Sequence, residues 1–251
     1  MQQRLAVFLS WSGGKDSAWA LHELRSSVQM NVVGLFTTFR ESDGRVSMHG
    51  VRRTLIEEQA HAAGLPLTAI ELPDPCPSEE YEARMGAAMK AAEADGIQGI
   101  AFADLFLDEV RRYRERKLAL TTTLRPIFPL WKLPTWDLAQ RMVGAGLRAR
   151  VVAVDRRRLD DSFLGREFDR AFLADLPEDV DPCGENGEFH TFVSAGPMFE
   201  REIPVRVGET VERDGFAYAD LIPFVPAKAG TQAGFPHRRA NARRSASYAR
   251  E

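Results

Sequence analysis

Up to Thr121 the apolar positions form short runs separated by amphipathic stretches, the pattern of strands alternating with helices. Arg4–Ser10 is a compact apolar run that ends on glycines, as a buried strand does. Helical spacing follows over Asp16–Ser27, with Ala18, Leu21 and Leu24 on one face. Met30–Thr38 is a second β-rich run, and Arg52–Ala63 reads as a helix stopped by Gly64 and Pro66. The alternation continues with a strand over Leu67–Leu72 and a helix over Ser78–Asp95, which Ser78 caps ahead of an acidic first turn. A strand over Gly99–Ala103 and a helix over Asp108–Thr121 complete it. Strands and helices in this order imply right-handed crossovers and a parallel sheet covered on both faces.

Beyond Pro126 the pattern changes. Three prolines punctuate PIFPLWKLP. A short helix over Trp136–Ala145, a strand over Leu147–Val154 and a helix over Asp161–Leu176 follow. From Glu188 onward the chain is β-rich: Phe189–Ser194, Glu202–Arg213 and Phe216–Ile222, the last two joined by the hairpin signal Asp214-Gly215. The expected organisation is a parallel-sheet α/β domain over 1–125, a smaller α+β domain over 126–224 and a disordered basic tail over 225–251. Trp11, Trp131, Trp136, Phe102, Phe106 and Phe128 are expected in core or interdomain packing.

Composition narrows the function. The 251 residues include 44% apolar and 27% charged residues, enough for a core and an ordinary polar surface. No apolar run reaches the roughly 20 residues of a membrane span, and the N-terminus lacks a secretory signal, so a cytoplasmic protein is expected. Two cysteines, Cys76 and Cys183, exclude a disulfide scaffold and a four-cysteine zinc site. The net charge of −3 is uneven: the tail carries +5, which leaves −8 on the preceding residues. An acidic body argues against a broad nucleic-acid-binding face.

The chemistry concentrates in two segments. Ser12-Gly13-Gly14-Lys15-Asp16-Ser17 follows the first strand and opens the first helix. Such a turn leaves backbone N–H groups free at a helix N-terminus, a ready anion site. Gly13 and Gly14 let phosphate approach the main chain, and Lys15 brings a mobile positive charge. Ser10, Ser12 and Ser17 add hydroxyls, and Asp16 caps the helix or holds a nucleotide-bound Mg²⁺. The spacing is not that of GxxxxGK[ST]. The second segment, Asp181–Phe192 (DPCGENGEFHTF), gathers acids, an amide and a histidine around two glycines three apart. Glu185, Glu188 and His190 are its candidates for a base or a metal ligand.

SGGKDS after a strand resembles the signature of the PP-loop ATP pyrophosphatases, and its pairing with GENGEFHT resembles the diphthine–ammonia ligase branch of that family. VSMHGVRRTLIEEQAHAAGLPL and the arginine-rich helix leading into Pro-Leu-Trp agree with it, so the resemblance covers about 5–222. It implies a Rossmann-like, HUP-type nucleotide-binding domain and ATP with Mg²⁺. A carboxylate substrate is adenylated with loss of pyrophosphate and then converted to an amide by ammonia. It places adenine near Phe36, Thr37 and Thr38, with His49 opening the next helix in reach of the nucleotide. Asp104 faces the ligand from a strand end, where the family's usual Gly-Asp-Ile reads Ala103-Asp104-Leu105. Arg112 and Arg116, four apart on one helix face, together with Asn186 and Thr191, are the expected substrate contacts. Glu188 is expected to receive ammonium and take its proton. The family's substrate, diphthine, occurs on an elongation factor of eukaryotes and archaea, whereas the Arg- and Ala-rich composition suits a GC-rich bacterial genome with a different carboxylate. Two other readings remain open: a tRNA-modifying enzyme and a nucleotide-binding regulator without turnover.

Overall fold

The computed structural model describes residues 4–224; the expected disordered tail lies outside them. Among the described residues nine strands form two sheets, flanked by six α-helices. The first sheet is five-stranded and parallel, in the order β3-β2-β1-β4-β5. Its strands are β1 (Leu5–Ser10), β2 (Met30–Arg40), β3 (Leu67–Leu72), β4 (Gly99–Ala101) and β5 (Arg125–Ile127). The helices between them are α1 (Lys15–Ser26), α2 (Arg53–Ala62), α3 (Ser78–Ala94) and α4 (Asp108–Thr121). Strand order reverses between β1 and β4, so the loops after those two strands open a crevice at their carboxyl ends.

The second sheet is antiparallel, in the order β7-β6-β9-β8. It comprises β6 (Arg148–Asp155), β7 (Phe189–Ala195), β8 (Val205–Arg213) and β9 (Phe216–Pro223), with α5 (Thr135–Gly144) and α6 (Arg170–Asp175) packed beside it. One apolar cluster runs through both sheets, from Leu9, Leu21 and Leu55 to Val151, Phe172 and Phe192. A second one backs the parallel sheet on the α3–α4 side, around Ile70, Ile100 and Leu118. Arg45 and Arg52 also reach from the first half to Asp220 on β9, at 2.9 and 2.5 Å.

The alternating pattern translates into structure with three differences. Strand β5 carries Pro126 at the sheet edge, where a missing N–H costs little, so the parallel sheet extends across the expected boundary at 125/126. The helix expected over Asp161–Leu176 splits into a 3-10 turn at Asp161–Phe163 and α6. Gly165 interrupts it at φ 77°, and Asp169 caps the new start by accepting from the Phe172 N–H. Helix α3 starts after Pro77, with Ser78 inside its first turn and no side-chain cap. Of the expected packing aromatics, Trp11 is buried, whereas Trp136 and Phe106 are 47% and 39% exposed.

Candidate active site

The loop between β1 and α1 is held from beneath by its neighbours. Trp11 N–H donates to the Phe36 carbonyl, and Thr37 Oγ1 donates to the Trp11 carbonyl at 2.7 Å. Phe36 and Thr37 are both buried beneath the loop and are not among the residues that line the cavity beside it. Gly13 adopts φ 81°, and a Cβ there would lie 2.5 Å from Ile56 Cδ1. A Cβ on Gly14 would lie 2.7 Å from His49 Cε1. Only glycine fits either place. Ser12 and Ser17 close the turn: Gly14 N–H donates to Ser12 Oγ, Ser17 Oγ donates to the Gly14 carbonyl, and the two hydroxyls stand 3.2 Å apart.

Gln59, which the sequence pattern does not mark, is fully buried and joins three elements. Its Oε1 accepts from Trp11 Nε1 at 2.9 Å, while Nε2 donates to the carbonyls of Gly13 at 2.9 Å and Val193 at 2.7 Å. A polar residue on the apolar face of α2 was its only signal, along with its place in the QA…GLPL resemblance.

The second segment meets the first directly. Lys15 N–H donates to Thr191 Oγ1 at 3.0 Å, and Val193 N–H donates to the Gly13 carbonyl at 3.0 Å. Lys15 is buried at 2% exposure, contrary to the expectation of a mobile charge. Its Nζ donates to the Cys183 carbonyl and to Asp16 Oδ2, and sits 5.0 Å over the Phe189 ring. Burial opposes its charge, but Asp16, with Cys183 and Asp181, outweighs burial and holds its pKa above the ordinary value. Asp16 caps nothing; α1 is capped by the Gly14 backbone. The second oxygen of Asp16, Oδ1, is buried without a protein partner.

Around these contacts lies a cavity of about 430 Å³, lined from both halves of the chain. Ser10, Ser12, Lys15, Asp16 and Ser17 supply one wall. Asp104 and Arg114 supply a second, and Glu185, His190 and Thr191 a third. Glu185 Oε1 accepts from the N–H groups of Leu105 at 2.8 Å and Phe106 at 3.3 Å, which ties the second motif to the loop after β4. Burial, with the charges of Asp16 and Asp104, pushes its pKa up to about 7 against those two hydrogen bonds.

Glu188 plays a different part from the one expected. It is 1% exposed, does not line the cavity, and accepts from Asp181 N–H, Asn186 N–H and Asn186 Nδ2. It is the keystone of the 181–188 turn; with its oxygens thus engaged, it is badly placed to receive ammonium. Asn186 lines the cavity but turns its amide inward to Glu188.

His49 sits in the turn between Val46 and Val51, ahead of α2, and not at the helix start. Its Nδ1 lies 3.1 Å from the Thr191 carbonyl, which requires the tautomer protonated there. Its ring packs against that of His190, tilted by 33° with centroids 4.6 Å apart. Burial lowers the His49 pKa to about 4 and holds His190 well below its ordinary value, so both imidazoles are neutral. His190 Nε2 is buried with no protein partner, free to meet a ligand.

Arg112 and Arg116 lie on the exposed side of α4, outside the cavity lining. Residues two apart on a helix are about 200° around the axis, so the side facing the crevice is that of Arg114. Arg114 Nε is 2.7 Å from Asp104 Oδ2, and its guanidinium lies 4.5 Å over the Phe102 ring.

Sequence profiles for the diphthamide synthase N-terminal and C-terminal domains match residues 4–117 and 134–220. The chain belongs to the diphthamide synthase family. It is similar to the diphthine–ammonia ligases of Rattus norvegicus (25% identity over 87% of this chain and 88% of that one) and Danio rerio (26% over 84% and 90%). To that of Bos taurus it is 28% identical over 58% of this chain, which spans 56% of the bovine protein. The two family domains meet at the cavity through the Lys15–Thr191 and Glu185–Leu105 contacts. Within this family the cysteines make a sulfur relay a poor fit. Cys76 packs on the α3–α4 side, and Cys183 is buried with its thiol 3.4 Å from the Thr135 carbonyl and its pKa pushed up by burial. No described helix is long and apolar enough to cross a membrane.

Proposed function

We propose that this chain is an ATP-dependent amide ligase: a substrate carboxylate attacks the α-phosphorus of ATP to give an acyl-adenylate and pyrophosphate, and ammonia then displaces AMP to leave the amide. The observation that carries this reading is the junction of both motifs on one cavity, with Lys15 N–H bound to Thr191 Oγ1. A carboxylate is inert to ammonia until one oxygen leaves as a phosphate ester, which is the purpose of the first step. The names of the relatives specify diphthine for those proteins; for this chain the reading commits to a carboxylate.

The residues present fit a nucleotide with its metal. Lys15 and Arg114 are paired with Asp16 and Asp104, and Glu185 adds a further carboxyl, so the cavity has no uncompensated positive charge to offer a polyphosphate. Binding a polyphosphate there calls for a divalent counter-charge. Among the described residues no cluster of His, Cys, Asp and Glu forms a complete metal site. Asp16, whose Oδ1 is buried without a hydrogen-bond partner, would be the residue to hold Mg²⁺ together with the nucleotide. Mg²⁺ bound there would supply neutralisation of phosphate charge.

The chain's own groups do the rest. The first turn of α1, with the N–H groups of Asp16 and Ser17, would offer the positive end of the helix dipole to phosphates. His190 Nε2 gives a neutral hydrogen-bonding contact that neither repels nor over-binds the ligand. Glu185, whose pKa burial raises to about 7, takes a proton from ammonium, and the ammonia so formed attacks the acyl carbon of the acyl-adenylate and displaces AMP. The test is incubation with ATP, Mg²⁺, ammonium and a panel of carboxylates. AMP and pyrophosphate in step with amide support the ligase; ADP, or bound nucleotide without turnover, overturns it.

A further inference from the structure

A second cavity, of about 480 Å³, lies between α3 and α4 and has no part in the chemistry above. Tyr81, Met85, Met89, Phe102 and Leu118 give it an apolar floor. Two residues, Phe102 and Arg114, line this cavity and the polar one alike, so the two share a wall. Arg114 Nη2 donates to Asp104 Oδ1 at 3.2 Å, whereas Nε, though 2.7 Å from Oδ2, is buried without a hydrogen-bond partner among the described residues. A cation with spare donors thus stands where an apolar compartment meets the candidate nucleotide site.

Gly86 is the second observation. It occupies the middle of α3, where glycine costs up to about 1 kcal/mol relative to alanine. Nothing in the packing asks for it: a Cβ there would meet only Thr121 Cγ2, at 3.8 Å, an ordinary contact. Gly86 lines the cavity, and any side chain at that position would intrude on it. A helix weakened at the one place that keeps the compartment open is what an occupant of that compartment would require.

We propose that the α3–α4 cavity seats the apolar body of the carboxylate substrate, with its carboxylate directed past Phe102 to Arg114 and the α-phosphate. The substrate class is therefore a carboxylate on an apolar stem of several carbons, not a small hydrophilic acid. This rests on the ligase reading for the identity of the polar site.

The test uses 4-phenylbutyrate and acetate as probes, titrated calorimetrically into the full chain with and without ATP and Mg²⁺. 4-Phenylbutyrate is expected to bind at least tenfold tighter than acetate. Gly86→Leu, which fills the cavity from a helical position that welcomes a side chain, is expected to weaken 4-phenylbutyrate at least tenfold and leave ATP affinity within twofold. Ala83→Trp fills the same space from one turn earlier and guards against a folding defect in the first variant. Equal binding of the two acids, or 4-phenylbutyrate binding unchanged in both variants, overturns the proposal. Absence of ATP binding to the unaltered chain overturns the ligase reading instead.

Discussion

The backbone N–H of Lys15 donates to Thr191 Oγ1 across 176 positions of sequence. The first residue of α1 would otherwise present that N–H to solvent or ligand; here the second domain takes it. The glycine loop is thereby completed by β7, and the two family domains line one cavity. Thr191→Val removes the acceptor and keeps the shape. A buried N–H left unsatisfied costs about 1–3 kcal/mol. Urea unfolding should show that loss and ATP turnover should fall with it, whereas Thr191→Ser should restore both.

Lys15→Ala is expected to lose nucleotide turnover and also stability. The side chain is buried, and its removal strands Asp16 Oδ2 and the Cys183 carbonyl. Breaking a buried ion pair from one side costs about 3–5 kcal/mol. A midpoint of unfolding unchanged from wild type would show that Lys15 is not the clasp between the motifs.

Glu185→Gln separates the two half-reactions. The carboxyl is pushed from an ordinary 4.5 up to about 7, so the folded state binds its proton more tightly than the unfolded one. Folding stability from this group is present at low pH and is lost as pH rises from about 4.5 to about 7. His49 and His190, held neutral by burial, act in the opposite sense as pH falls below 6.5. The difference between wild type and variant cancels the histidines: Glu185→Gln should gain stability relative to wild type as pH rises through that window. In kinetics, the variant should keep ATP–pyrophosphate exchange and lose the inflection near pH 7 in amide formation. A variant whose amide formation keeps that inflection would remove Glu185 from the role of base.

The fold was legible because its periodicities are clean. Alternating apolar runs and helical faces gave the order of elements, and the glycine turn after β1 gave the position of the loop. What stayed hidden has physical causes. Local pattern cannot say which face of a polar helix meets the crevice, so Arg112 and Arg116 stood in for Arg114 on α4, whose apolar stripe is weak. Nor can it distinguish a carboxylate that faces a ligand from one that holds its own turn together, which is the difference between Glu185 and Glu188. Gln59 was missed because its three hydrogen bonds all go to residues distant in sequence.

Glu188→Ala should damage structure before chemistry. Three donors from Asp181 and Asn186 converge on this buried carboxylate, and alanine leaves all of them without this acceptor. Asn186 is exposed and its donors can turn to water, so the loss expected is that of the Asp181 N–H contact and the turn geometry, about 1–3 kcal/mol. Hydrogen exchange should then quicken across 181–188 and at Thr191, with ATP affinity falling because the cavity wall loosens. Glu188→Gln retains one acceptor oxygen and should fall between the two. Normal exchange in the alanine variant, with amide formation alone abolished, would return Glu188 to the chemistry.

The arginines of α4 give the sharpest contrast. Arg112 and Arg116 are exposed, so alanine at either is expected to alter stability by less than about 0.5 kcal/mol and turnover hardly at all. Arg114→Ala removes the partner of Asp104 and the cation over Phe102, and leaves a carboxylate unneutralised beside the cavity. The KM for the carboxylate should rise at least tenfold. ATP–pyrophosphate exchange at saturating carboxylate should be less affected, since the interaction lost is with the ground-state acid as much as with the transition state. Arg114→Lys keeps the charge without the planar fork and should recover only part of the affinity. If Arg112→Ala or Arg116→Ala carried the KM effect and Arg114→Ala did not, α4 would present to the substrate the face that this structure turns to solvent.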